Sequence, residues 1–124
     1  MRQGETVIAD RISEATVLFS DLVDFIGLSA TLAPEETVKL LSLLFSQFDD
    51  LALRHGLETI KTIGDGYMVT GGILEPRAES AVTVAEMALS MLESGEAVGR
   101  SLDGRLRLRI GIHTGGPMVA GVLA

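Results

Sequence analysis

The chain has 124 residues, enough for one domain with a core of its own. Its 47% hydrophobic and 22% charged content excludes a disordered tract, and a net charge of −7 excludes a phosphate-backbone reader, so no nucleic-acid partner is expected. Zero cysteines exclude a disulfide framework and thiolate chemistry, and no apolar run approaches the ~20 residues that span a bilayer.

Met1–Ser13 carries no strong pattern, and acidic Glu5 and Asp10 with no long apolar stretch argue against a secretory signal. Ala15–Ser20 is a short apolar, β-branched run that reads as a buried strand ending in Asp21. Asp24–Leu32 fits a short helix, with Phe25, Leu28 and Leu32 on one face. Pro34 suits the first turn of a longer helix, where Glu35 and Glu36 favour the N-terminal dipole. Val38, Leu41, Phe45, Phe48 and Leu51 recur along it as the expected inward face, and Gly56 stops it.

Thr59–Ile63 and Tyr67–Gly71 read as a hairpin around Gly64-Asp65-Gly66. Glu79–Leu92 reads as a second long helix with Val82, Ala85, Leu89 and Leu92 inward and Met87 and Met91 as packing residues, followed by a polar loop over Glu93–Gly104. Leu106–His113 alternates Leu and Ile with Arg and Gly, a strand with one wet face, and Met118–Val122 is a last strand. The order β-α-α-β-β-α-β-β predicts an α+β, ferredoxin-like sandwich, a mostly antiparallel sheet with helices on one face.

Three stretches, ATVLFSDLVDF (Ala15–Phe25), LETIKTIGDGYMVTG (Leu57–Gly71) and RLRIGIHTGGPMVAGV (Arg107–Val122), resemble the catalytic domain of the class III nucleotidyl cyclases, and Lys61 points to the adenylate branch. The resemblance implies that residues 1–13 connect to an upstream region and that residues 14–124 form the N-terminal two-thirds of a catalytic domain. It implies conversion of ATP to 3′,5′-cyclic AMP and pyrophosphate in intracellular signalling. This piece alone is expected to be inactive, since the family's transition-state Asn and Arg would lie beyond Ala124. A cytoplasmic setting fits, with no membrane contact by this chain; a parent attached to a membrane through another region is compatible with it.

The chemistry is an in-line attack of the ribose 3′-oxygen on the α-phosphorus, to which two divalent ions, Mg²⁺ or Mn²⁺, are suited. The resemblance assigns both metals to Asp21 and Asp65, with the Leu22 carbonyl completing one shell. A lone aspartate at either place is ordinarily a cap or a turn; the pair within these motifs is what carries the metal reading. Lys61 can donate to adenine N1, where guanine presents a donor of its own; its ordinary alternative is a solvated strand lysine. The loop through Val23, Asp24, Phe25 and Ile26, together with Gly64, is expected to face the triphosphate through backbone N–H groups. Here the chain departs from the family, whose pattern after the metal Asp and two apolar residues is Gly-Phe-Thr. Ile26 lacks a hydroxyl, and Asp24 either adds negative charge near the phosphates or turns away to cap the short helix. His55 and His113 have no ligand spacing and read as structural.

In the family the site lies between two catalytic domains, so a chain holding Asp21, Asp65 and Lys61 implies a homodimer with a second cyclase domain. The alternatives are a guanylate cyclase and a non-catalytic cyclase-like module acting in dimerisation or regulation. A diguanylate cyclase would need a Gly-Gly-Asp/Glu-Glu-Phe turn, which Gly64-Asp65-Gly66-Tyr67 is not.

Overall fold

The structure, a computed structural model, describes residues 7–12, 15–60, 64–71, 80–102, 106–115 and 118–123. In chain order the elements are β1 (Val7–Ile12), β2 (Ala15–Leu22), α1 (Phe25–Ala30), α2 (Pro34–His55), β3 (Glu58–Ile60), β4 (Tyr67–Gly71), α3 (Ser80–Val98), a 3₁₀ turn (Gly99–Leu102), β5 (Leu108–Gly115) and β6 (Met118–Leu123). Four strands form one sheet in the order β3-β4-β2-β5, with every neighbouring pair antiparallel. That is the expected ferredoxin-like arrangement. Val7–Ile12, for which no strand was expected, pairs with β6 as a separate antiparallel ribbon, Val7 opposite Leu123 and Ile12 opposite Met118.

β2 is the central strand that sets the two faces of the sheet. Leu18, Ser20 and Leu22 alternate onto the helix-covered face and are buried, whereas Phe19 between them is 48% exposed. The core between sheet and helices holds Leu18, Leu44, Phe48, Val69, Val84, Met87 and Met91, none with measurable exposure. Packing it away from water is the main favourable term in folding.

α2 begins as expected, with Pro34 in the first turn and the Glu36 carboxylate accepting from the Ala33 amide at 3.0 Å. It ends at Gly56, whose φ of 68° lets its amide and that of Leu57 turn back onto the last helical carbonyls. Its buried centre is Leu44, Phe48 and Ala52; Leu41, Phe45 and Leu51 are partly buried beside it, and Val38 is 64% exposed. Val38 is therefore not inward: α2 carries more apolar residues than one face can bury, and packing rather than period selects the centre.

The same physics corrects α3 more strongly. Val82, Ala85, Leu89 and Leu92 face outward, and Val84, Met87, Ala88, Met91 and Gly95 face the core. Met87 and Met91 are core residues as read from the sequence. The helix is apolar on nearly every side over 81–92, so two stripes fit the 3.6-residue period equally well. It also continues through the expected Glu93–Gly104 loop to Val98. Gly95, a residue that costs about 1 kcal/mol inside a helix, is placed against β5: a Cβ there would lie 2.9 Å from a Leu108 methyl. Close helix–strand approach is what the glycine permits. Glu79 and residues 103–104 of that loop lie outside the described residues.

Candidate active site

Asp21 stands on β2 one residue before its end, on the face away from the helices, with 31% of its side chain exposed. The antiparallel register of β2 and β5 puts Arg109 directly opposite it. Arg109 Nε donates to Asp21 Oδ1 at 2.9 Å and Nη2 to Oδ2 at 3.0 Å, a two-pronged charged pair. The Arg109 hydrogen bonds hold the Asp21 carboxyl below the usual range, against a smaller opposing push from burial. Arg109 is stabilised in its charged form, first by Asp21 and, more weakly, by the field of Asp65.

Asp65 arrives from the β3–β4 connection. Gly64 before it has a φ of 74°, open to glycine at little cost. Asp65 Oδ2 accepts from the Leu22 amide at 2.9 Å, so the turn carboxylate is fastened to the residue next to Asp21. The Asp65 turn is thus tied to the end of β2, one residue past Asp21, from which Asp65 is 44 positions away in sequence.

Tyr67 anchors the far side of that turn. Its hydroxyl donates to Asp49 Oδ1 of α2 at 2.7 Å and lies 3.4 Å from Thr59 Oγ1. Its ring packs edge-on against Phe48 at 5.1 Å and tilted against Phe45 at 5.5 Å. Burial, the largest influence, pushes the Tyr67 hydroxyl to a higher pKa, so it remains a neutral donor. The turn that carries Asp65 is thereby tied to the longest helix.

Beyond β2 the loop is arranged differently. The Val23 amide donates to the Arg107 carbonyl at 2.8 Å. Asp24 adopts a left-handed conformation, φ 51° and ψ 49°, and its carboxylate caps α1 by accepting from the Gly27 amide at 3.2 Å. Of the two orientations the sequence left open, this is the capping one. Phe25 and Ile26 form the first turn of α1, where amides have no acceptor inside the helix; the Ile26 side chain is 83% exposed. Lys61 lies outside the described residues. His55 bonds the Leu51 carbonyl through Nδ1 at 2.8 Å, and His113 stands four residues beyond Arg109 on β5.

Among the described residues no cluster of three or more His, Cys, Asp or Glu side chains could hold a metal by itself. Two carboxylates at a strand end fit a different kind of site, one in which a hard cation takes its remaining oxygens from water and substrate phosphates. Arg109 was not singled out in the sequence. Its alternation with Leu106, Leu108 and Ile110 marks a wet strand face, and only the β2–β5 register shows which carboxylate lies opposite.

Residues 7–124 match the family described as the adenylate and guanylate cyclase catalytic domain. An adenylate cyclase of Mycobacterium tuberculosis is 41% identical over 94% of this chain and 26% of its own length. The guanylate cyclase soluble subunit beta-2 of Rattus norvegicus is 39% identical over 99% of this chain and 18% of its own. The catalytic core of a rhodopsin-guanylyl cyclase with converted specificity, solved in complex with ATPalphaS, superposes with a TM-score of 0.81 at 26% identity, covering 92% of this chain and 62% of that one. The chain therefore spans about a quarter or less of these two curated relatives. No helix among the described residues is long and apolar enough to cross a membrane.

Proposed function

Because the chain belongs to the adenylate and guanylate cyclase catalytic-domain family, we propose that it serves the conversion of ATP to 3′,5′-cyclic AMP and pyrophosphate. The observation that carries this reading is the hydrogen bond from the Leu22 amide to Asp65, which ties the Asp65 turn to the strand end that carries Asp21. Asp21 and Asp65, with the Leu22 carbonyl, would hold two divalent cations, Mg²⁺ or Mn²⁺. Those ions would stabilise charge on the attacking 3′-oxygen and the departing pyrophosphate.

The chain's own residues do the positioning. The β2–β4 pairing and the Tyr67–Asp49 bond fix Asp65, while the β2–β5 pairing fixes Asp21. The turn after β2, from Val23 through Ile26, and Gly64 border the carboxylates in sequence and are assigned to the triphosphate. Lys61 is assigned to the base: its ammonium donates to the N1 acceptor of adenine and meets a donor in guanine. A second cyclase domain, in a homodimer, completes the site in this reading.

Guanylate cyclases at nearly the same identity as the adenylate cyclase make GTP the competing substrate. Cyclic nucleotide formation by the parent protein, offered ATP and GTP in parallel with Mn²⁺, separates the two. Preference for ATP that collapses in Lys61→Ala supports the proposal. Preference for GTP sinks the adenylate assignment, and no turnover with either leaves a regulatory module.

A further inference from the structure

Resting on the reading of Asp65 as a metal carboxylate, we infer that Asp49 of α2 is a positioning residue for that carboxylate. It acts through the Tyr67 hydroxyl, on which both arms of the β3–β4 hairpin converge.

The turn itself creates the need for an anchor. Gly64-Asp65-Gly66 puts a glycine on each side of the carboxylate, and Gly64 already uses the positive φ of 74° that glycine opens. Glycine has the widest backbone freedom of any residue, so local preference alone gives the Asp65 carboxylate no fixed place. Two ties supply one. Asp65 Oδ2 accepts from the Leu22 amide at 2.9 Å, at the end of β2. Two residues further on, the Tyr67 hydroxyl donates to Asp49 Oδ1 at 2.7 Å.

The second tie does more than fill the core. Phe45, Phe48 and Asp49 stand at i, i+3 and i+4 on α2, and all three meet Tyr67. The two phenylalanine rings pack on the tyrosine ring at 5.5 and 5.1 Å, contacts that a phenylalanine at position 67 would make equally well. What the hydroxyl adds is direction, because a hydrogen bond to a carboxylate is shorter and stronger than one between neutral groups. The same hydroxyl lies 3.4 Å from Thr59 Oγ1. Asp49 therefore holds, through one atom, the strand that enters the turn and the strand that leaves it. Thr59 stands two residues before Lys61 in sequence, and Tyr67 two after Asp65. Asp49 touches neither substrate nor metal in this arrangement, so its role is positioning and lies outside the chemical step.

Mn²⁺ titration of the 124-residue chain without nucleotide, read by the electron paramagnetic resonance signal of the free ion, tests the role, with thermal unfolding of each variant recorded alongside. Asp49→Ala and Tyr67→Phe should each weaken Mn²⁺ binding roughly tenfold, the low end for residues that orient a metal ligand from outside its shell. Asp49→Asn keeps an oxygen that accepts from the Tyr67 hydroxyl and should bind close to wild type. The double variant Asp49→Ala/Tyr67→Phe should bind no more weakly than either single one, because the two changes remove the same bond. Wild-type affinity in folded Asp49→Ala and Tyr67→Phe overturns the positioning role and leaves the bond to stability alone. Asp49→Asn as weak as Asp49→Ala overturns it too, since charge and not the bond would then matter. Asp65→Asn separates these failures from failure of the metal reading, and it should lose binding. A wild type that binds no Mn²⁺, or an Asp65→Asn that binds as wild type, refutes the metal reading and this role with it.

Discussion

Asp21 and Asp24 are three residues apart, and the structure gives them opposite fates. Asp21 belongs to a strand paired on both sides, which holds its carboxylate on the exposed sheet face toward Arg109, while Asp65 is fastened to the next residue's amide. Asp24 lies just past the strand in a left-handed turn, and its carboxylate folds back onto the Gly27 amide of the helix it starts. The backbone state, not the residue type or the neighbourhood in sequence, decides which carboxylate is presented to a cation and which is spent on local structure.

That contrast separates the two by the quantity each should change. Replacing Asp21 with Asn should lower cyclic nucleotide formation by the parent protein at least ~100-fold, the scale of losing one electrostatic contributor to the transition state. Stability should shift by less than ~1 kcal/mol, because the stranded Arg109 is mostly in water. A large loss of stability in urea unfolding, with turnover intact, would put Asp21 among the structural residues.

Asp24→Ala should act on stability, costing about 1 kcal/mol through the lost cap. Gly27→Ala should cost a similar amount by another route, since a Cβ at Gly27 collides with the Asp24 carboxylate. The double variant should then cost no more than about either single one, because both remove one interaction. Additive losses would mean the cap is not what holds α1.

The smallest effect is a pH slope. The Asp21 carboxyl is held below its ordinary value of 3.8, so its pairing adds stability above that value and loses it as pH falls further. Arg109→Gln should flatten the acid limb of stability against pH at pH below about 4 and leave neutral pH nearly unchanged. An unchanged acid limb would show that the pair adds nothing to the folded state.

How much of this was legible in the sequence follows the same division between local and long-range physics. The strand into Asp21, Pro34 opening α2 and Gly56 closing it are set by residues within a few positions, and the structure has them where expected; of the hairpin around Asp65 it has Glu58–Ile60 paired with Tyr67–Gly71, and residues 61–63 lie outside the described residues. What depends on the partner surface was not legible. α3 offers two apolar stripes, and only the shape of the sheet selects Val84, Met87 and Met91 over Val82 and Leu89. Gly95 fell within the expected Glu93–Gly104 loop because nothing local reveals that Leu108 needs its space. Val7–Ile12 becomes a strand by pairing with residues more than 100 positions away. Arg109 was hidden for the same reason, its partner lying 88 positions back across the β2–β5 pair.

The measurement that bears most directly on the two-carboxylate site is ATP turnover by the parent protein with Asp65→Asn, with thermal unfolding recorded alongside. Asparagine keeps an oxygen to accept from the Leu22 amide while removing the charge, so the turn should stay in place. The expected result is a folded variant with an unchanged unfolding temperature and turnover reduced at least ~100-fold. A folded variant that still forms cyclic AMP at the wild-type rate would contradict the assignment of Asp65 to the metals.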